Sequence, residues 1–279
     1  MATIIDGKAL AEKICADVAV KAAKLKRQPV LAAILVGTDP ASQIYVRNKE
    51  RDCAKCGIKS LRFDLPESCP QEELIKLIEK LNADDGVDGI LVQLPLPEQI
   101  DEETVINAIS PEKDIDAFHP ENVGRMIVGE PVLWPCTPAG IMELLHEYGI
   151  SPDGRVCVVV GRSNIVGRPM GLMLLREHGT VIYCHRHTPD IKKMTLMADI
   201  LVVAAGCPGL ITGDMVKDGA AVIDVAMNRD EKTGKFFGDV VFSEVEKKAA
   251  FITPVPGGVG PMTRAMLMRN IVAAAKHKE

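Results

Sequence analysis

In "ASQIYVRNKERDCAKCG", residues 41–57, Tyr45 and Lys49 are four positions apart. On a helix such positions share a face, so Ser42, Tyr45 and Lys49 form one polar row while Arg47, Glu50 and Arg51 point elsewhere. A phenol beside an amine can orient it, which a lysine that moves protons requires. Taken alone, the stretch fits a solvent-facing lysine with a tyrosine packed beside it more simply.

A second constellation lies in "VVVGRSNIVGRPMG", where Gly161, Arg162, Ser163, Gly167 and Gly171 follow an apolar run and lead into a helical pattern. Small residues there let backbone amides and a helix N-terminus approach a pyrophosphate. The spacing is neither G-x-G-x-x-G nor a phosphate-binding loop with Lys-Ser/Thr; a turn with incidental glycines is the lesser alternative, and the strand–turn–helix context favours a dinucleotide. Arg162 directly follows the first strand, and Arg186 lies two residues beyond the next. An acid at that place would read a bare ribose 2′-hydroxyl, whereas arginine suits a 2′-phosphate, so the pattern points to NADP. Arginines on a solvated rim remain an even alternative for Arg186.

Other motifs decide less. "CAKC" at 53–56 closes a helix instead of opening one, and no second cysteine pair completes a zinc site, so neither a redox nor a metal role is expected. "CHRH" at 184–187 lacks a further ligand, and no metal is expected there either. In "PEKDIDAFHPENVG", Asp114 and Asp116 could do acid–base work, although aspartates commonly stabilise turns. "PGGVGPMT" at 256–263 is a loop suited to close approach of a ligand.

These groups need elements to hold them. Apolar positions Leu10, Ile14 and Val18 predict a helix over 9–24, and "VLAAILVG" predicts a buried strand over 30–37. A helix over 41–56 closed by Gly57, the strand "IKSLRFDLP", a helix in "PQEELIKLIEKLNADD" and the strand "VDGILVQLPLP" continue the alternation of a parallel α/β sheet. "GEPVLWPCTPAG" at 129–140 is a candidate hinge before the helical "IMELLHEYG". Beyond it "RVCVVVG", "TVIYC", "DILVVAA", "AAVIDVA" and "FITPV" predict the strands of a doubly wound, Rossmann-type sheet.

The chain has 279 residues, 47% hydrophobic and 25% charged, which predicts two folded domains. A net charge of −5 with scattered Lys and Arg gives no basic field, so nucleic acid is not an expected partner. Asp6 and Lys8 interrupt the N-terminal apolar residues, no apolar run is long enough to span a membrane, and eight dispersed cysteines suggest reduced thiols in the cytoplasm.

Taken in order, "YVRNK" at 45–49, "VQLPLP" at 92–97, "PEKDIDAFHPENVG", "PCTPAG" at 135–140, "GRSNIVGRPM" and "PGGVGPMT" closely resemble the bifunctional methylenetetrahydrofolate dehydrogenase/cyclohydrolase (FolD) family over nearly the whole chain. The resemblance implies two α/β domains around a cleft and a homodimer. The folate-binding catalytic domain would be 1–137 joined by a C-terminal helix at 262–279, and the NADP-binding domain 138–261. It implies NADP-dependent oxidation of methylenetetrahydrofolate to the methenyl compound, then hydrolysis to formyltetrahydrofolate in one-carbon metabolism. Tyr45 and Lys49 would be the catalytic pair with Gln93 as the lysine's partner. Asp116 would anchor the pterin, and Ser42, Gly257, Val259 and Pro261 would line the folate site. Gly161, Arg162, Ser163, Gly167 and Arg186 would serve NADP. Hydride transfer chiefly requires positioning, whereas water addition requires a base, which is the lysine's implied work. Three positions depart from the family pattern: Ala117 and Ala226 stand where glycine is usual, and Arg186 where a smaller polar residue is common. A dehydrogenase with little hydrolase activity, or a non-catalytic binding protein of the same fold, are the alternative readings.

Overall fold

A computed structural model describes residues 1–230 and 233–279, apart from the side chains at 40 and 41. The chain divides into two compact units, one of residues 12–136 with 264–279 and the other of residues 1–11 with 137–263.

The first unit is built on three parallel strands in the order Lys59–Leu65, Val30–Val36, Gly89–Val92. The central strand, VLAAILV, is buried at all but its first position, because helices cover both faces of a parallel sheet. Helix Gln71–Ala83 buries Leu74, Ile78 and Leu81, spaced as one helical stripe, against Ala32, Ile34, Ile90 and Val92. Helix Pro40–Lys55 follows the central strand, and Asp39 caps it by accepting a hydrogen bond from the Ser42 amide at 2.7 Å. Two short helices not evident from periodicity, Glu102–Ala108 and Pro120–Val128, frame residues 109–119. The second begins at a proline and ends at Gly129 in the left-handed conformation.

The second unit carries six parallel strands in the order Thr3–Ile4, Phe251–Ile252, Ala221–Asp224, Ile200–Val203, Val156–Val160, Thr180–Cys184. The chain runs from Val156–Val160 to the edge at Thr180–Cys184, then returns to the other side, so the order reverses between Val156–Val160 and Ile200–Val203. That reversal is the switch point of a doubly wound sheet. The edge strand Thr3–Ile4 pairs with Phe251 and Ile252, so residues 1–11 group with this compact unit. A two-stranded antiparallel hairpin, Asn228–Arg229 with Phe236–Phe237, was likewise too short to show in the sequence. Helix Val259–His277 starts in this unit and continues into the first, where Asn270 Nδ2 donates to the carbonyls of Ile115 at 2.8 Å and Trp134 at 2.7 Å. Among the described residues no helix is long and apolar enough to cross a membrane.

One buried cation fixes the segment that leads to Asp116. Lys113 is 5% exposed, and its ammonium donates to the carbonyls of Leu81, Asn82 and Asp84 at 2.8, 2.7 and 2.7 Å. It thereby satisfies the open C-terminal end of helix Gln71–Ala83, where a positive charge also meets the negative end of the helix dipole. Burial lowers the affinity of this amine for its proton. Lys113→Met keeps the apolar stem but strands three carbonyls, so unfolding should become easier by about 3 kcal/mol or more, read as a lower urea midpoint.

Candidate active site

The first unit gathers its polar groups at the carboxyl ends of its strands. Gln93 directly follows Gly89–Val92, and its amide extends the ladder by donating to Ile34 O at 2.9 Å. Its side-chain amide is fixed at both ends: Nε2 donates to Leu94 O at 2.6 Å, which turns Oε1 toward Lys49 Nζ, 3.0 Å away. Lys49 reaches this point from helix Pro40–Lys55 and is half-buried. Tyr45, one turn earlier, is 37% exposed. Partial burial pushes its phenol above the ordinary range, and the Arg264 charge opposes this.

Asp116 completes the group. Burial raises its carboxyl above the ordinary range, and the positive charge of Lys49 and a hydrogen bond with the Cys136 side chain pull the other way. Its position is set by Asp114, 3% exposed, which pairs with Ile90 in an isolated parallel bridge. Asp114 Oδ2 accepts from the His119 amide at 2.8 Å and Asn122 Nδ2 at 2.9 Å. Asp116 is therefore held between that anchor and helix Pro120–Val128. The arrangement offers a lysine oriented by a neutral amide, a phenol on the same helix, and a carboxylate able to receive paired N–H groups.

In the second unit the loop after Val156–Val160 has the closeness a backbone-bound phosphate requires. Gly161 has φ +128°, and a Cβ there would lie 2.3 Å from Ala204 O. A Cβ on Gly167 would meet Gly161 O at 2.4 Å, so only glycine lets the turn fold onto itself. Ser163 Oγ accepts from the amides of Val166 and Gly167 at 3.2 and 3.3 Å at the start of helix Gly167–Arg176. Arg162 is exposed beside this turn. Arg186 is also exposed, and its Nε donates to His187 Nε2 at 3.3 Å. The cradle fits a dinucleotide at the switch point, with guanidinium groups available to a 2′-phosphate.

Residues 5–116 match the model of the tetrahydrofolate dehydrogenase/cyclohydrolase catalytic domain, and residues 135–279 that of the NAD(P)-binding domain of the same family. The chain belongs to the tetrahydrofolate dehydrogenase/cyclohydrolase family. The bifunctional protein FolD of Agathobacter rectalis is 54% identical over 99% of this chain and 100% of that protein. The crystal structure of the bifunctional FolD enzyme from Campylobacter jejuni superposes with a TM-score of 0.98 at 50% identity, covering 100% of both chains. A Trypanosoma brucei methylenetetrahydrofolate dehydrogenase-cyclohydrolase, solved with NADP and an inhibitor, gives a TM-score of 0.94 at 41% identity over 99% of this chain and 98% of that one. The protein is an enzyme with dehydrogenase and cyclohydrolase activities, and it acts on tetrahydrofolate derivatives with NADP as cofactor.

Within the family frame, the expected residues fall into three groups. Lys49, Gln93 and Asp116 are brought together in the first unit. Ser42 shares the helix of Tyr45 and Lys49 and is 4% exposed. Gly257, Val259 and Pro261 lie in the second unit. There Gly257 has φ +113° and its carbonyl accepts from the Lys8 amide at 3.0 Å, while Val259 is buried. "CAKC" is inward-facing: burial raises the Cys53 thiol to about 12, and hydrogen bonding to Cys15 raises Cys56. Such thiols are poor nucleophiles. Sequence reasoning assigned nothing to Cys136, whose side chain bonds Asp116, or to Arg264, 3.4 Å from Asp52. "PCTPAG" marked the first as part of a motif, whereas no local signal marks an arginine that acts from a distant helix.

Burial raises the Asp114 carboxyl from 3.8 to about 6, with the His119 and Asn122 hydrogen bonds opposing it. Between those values the folded protein keeps a proton that the unfolded chain has lost. The group's contribution is therefore full at low pH and lost as the pH rises through about 6, a change on the order of 3 kcal/mol. Asp114→Asn can keep a carbonyl in the place of Oδ2. The variant's stability relative to the parent should improve by up to about 3 kcal/mol from pH 4 to pH 7, followed by urea unfolding at each pH.

Proposed function

We propose that Lys49 is the base of the cyclohydrolase reaction and that Gln93, Tyr45 and Asp116 position it and the folate. The observation that carries this reading is the 3.0 Å hydrogen bond between Lys49 Nζ and Gln93 Oε1, with Gln93 itself tied to Leu94 O. Gln93 orients the amine without placing a negative charge on it, and Tyr45 stands one turn away on the same helix. Water adds to the cationic methenyl carbon as Lys49 takes its proton. As the carbon–nitrogen bond breaks, that proton passes to the departing nitrogen, and the hydroxyl proton left on the added oxygen is released to solvent as the formyl carbonyl forms. Asp116, an acceptor through both oxygens, would hold the amino and ring N–H groups of the pterin. Ser42, Gly257, Val259 and Pro261 belong to the folate site in this reading, with Ser42 acting from within the helix.

NADP, when bound, supplies the hydride acceptor of the dehydrogenase reaction. The turn at Gly161, Ser163 and Gly167 would hold its pyrophosphate, and Arg162 its 2′-phosphate, with Arg186 as a second cation nearby. What the chain must do for that reaction is bind, orient and exclude water, since no protein acid or base is obligatory. The same reading takes the enzyme as a cytoplasmic homodimer without nucleic-acid partners, on the family resemblance, a net charge of −5 and thiols that are free in every cysteine.

Replacing Lys49 with Met keeps the stem and deletes the amine. Hydrolysis of methenyltetrahydrofolate should fall by about 10²-fold or more, with a smaller fall in NADP reduction and intact NADP binding. Parent-like hydrolysis in the purified variant would exclude Lys49 as the base.

The arginines separate in a cofactor comparison. Each charge-assisted bond to the 2′-phosphate is worth roughly 1.5 to 3 kcal/mol, so Arg162→Ala should lower the NADP-to-NAD ratio of kcat/KM by about tenfold to a hundredfold. Arg186→Ala should lower it less, because its guanidinium is shared with His187. An unaltered ratio in Arg162→Ala would remove that residue from the phosphate site.

A further inference from the structure

Asp239 is the most completely enclosed carboxylate near the switch point of the six-stranded sheet. It is 0% exposed, and its Oδ2 accepts from two successive backbone amides, Ala205 at 2.9 Å and Gly206 at 2.8 Å. Its Oδ1 accepts from Asn228 Nδ2 at 3.0 Å. The carboxylate is itself held in place. Its backbone amide donates to Asp224 Oδ1 at 3.1 Å, and its carbonyl accepts from the Ile211 amide at 3.1 Å.

Ala205 and Gly206 open the loop that follows Ile200–Val203, the strand on the far side of the switch point from Gly161. The two loops touch. Ala204 N donates to Val160 O at 2.7 Å, and Ala204 O stands 2.3 Å from where a Gly161 Cβ would be. A shift in the course of residues 204–206 therefore moves one wall of the turn that takes the pyrophosphate. Gly206 has φ +64°, a conformation that needs a partner to select it in a flexible glycine. A buried anion receiving two consecutive N–H groups is that partner.

We propose that Asp239 is a positioning residue for the cofactor, clamping the loop at 204–206 so that the switch-point crevice is formed before NADP binds. The proposal rests on the assignment of NADP to the Gly161 turn. It makes no contact between Asp239 and the cofactor, and it separates the enzyme's two reactions. Hydride transfer needs the dinucleotide site, whereas addition of water to the methenyl compound consumes no cofactor.

The test uses the full-length enzyme and three readouts: KM for NADP and kcat in the dehydrogenase direction, and methenyltetrahydrofolate hydrolysis without NADP. Asp239→Ala removes both acceptor oxygens and should raise KM for NADP at least tenfold, with kcat at saturating NADP within about threefold of the parent and hydrolysis within about twofold. Asp239→Asn keeps one carbonyl for the two loop amides, and Asn228 can turn its own oxygen toward the new amide, so this variant should recover most of the affinity. Should the alanine variant fail to fold, Asp239→Ser, whose hydroxyl is too short to reach both amides, carries the same expectation. An unchanged KM for NADP, or a parallel loss of hydrolysis and dehydrogenase activity, would overturn the proposal. A Gly161→Ala variant with an unchanged KM for NADP would instead defeat the assignment of the cofactor to that turn, so the two failures are distinguishable.

Discussion

Parallel strands covered on both faces bury the side chains along their length, so their carboxyl ends are where polar groups remain available to a ligand. Both units obey this constraint, and the placement of chemistry follows from it. In the first unit Gln93 stands one residue beyond Val92, Lys49 comes from the helix that follows the central strand, and Asp116 lies two residues beyond the bridge at Asp114. In the second, Gly161 follows Val160, Ala204 follows Val203 and Arg186 lies two residues past Cys184. A ladder slip would carry these groups away together, since the Gln93 amide is itself a rung on Ile34.

The buried charges of the two units are satisfied in different ways, and each way restricts motion. Lys113 spreads its charge over three carbonyls at a helix terminus. Asp88, 0% exposed, accepts both guanidinium nitrogens of Arg27 at 2.8 and 2.6 Å and the Val30 amide at 2.9 Å. Asp239 relies on amides alone. For Asp114 and Asp224 burial outweighs the hydrogen bonds they accept, and each carboxyl rises to about 6. Removing one partner from any such set leaves a buried polar group unmatched, which costs more than the bond itself contributed. The loops bearing Asp116 and Gly161 are thus defined by polar contacts that tolerate few alternatives.

The sequence disclosed what is local and periodic. Helix 41–56 and the strand beginning at Val30 could be read from spacing, and the glycines of 161–171 from their place between strand and helix. The pairing of Lys49 with Gln93 spans 44 residues, and only the order of family motifs pointed to it. For Ser42 a helical wheel gives the angle of the side chain beside Tyr45 and Lys49 and not what packs over it; it is 4% exposed. Thr3–Ile4 is too short for any periodicity to register, yet its pairing with Phe251–Ile252 moves residues 1–11 into the second unit. Asp239 and Arg264 carry no local signal at all, since their partners come from elements far along the chain.

The two alanines that replace family glycines differ in what they ask of the backbone. Ala226 is not among the positive-φ residues, and its amide donates to Asp224 Oδ1 at 3.2 Å, so a Cβ there imposes no left-handed strain. Ala117 has φ +58°, a conformation that costs an L-residue about 1 to 2 kcal/mol. Its methyl group, however, is packed in the buried cluster with Leu133 and Ala274, worth about 0.8 kcal/mol, and alanine loses less freedom on folding than glycine by roughly 0.4 to 1 kcal/mol. These terms nearly cancel. The backbone keeps the turn a glycine would make, with the Ala117 amide donating to Asp114 O at 3.0 Å, and Asp116 stays between the same two neighbours. The departure at 117 therefore changes how the turn is stabilised without changing where the carboxylate points of attachment lie.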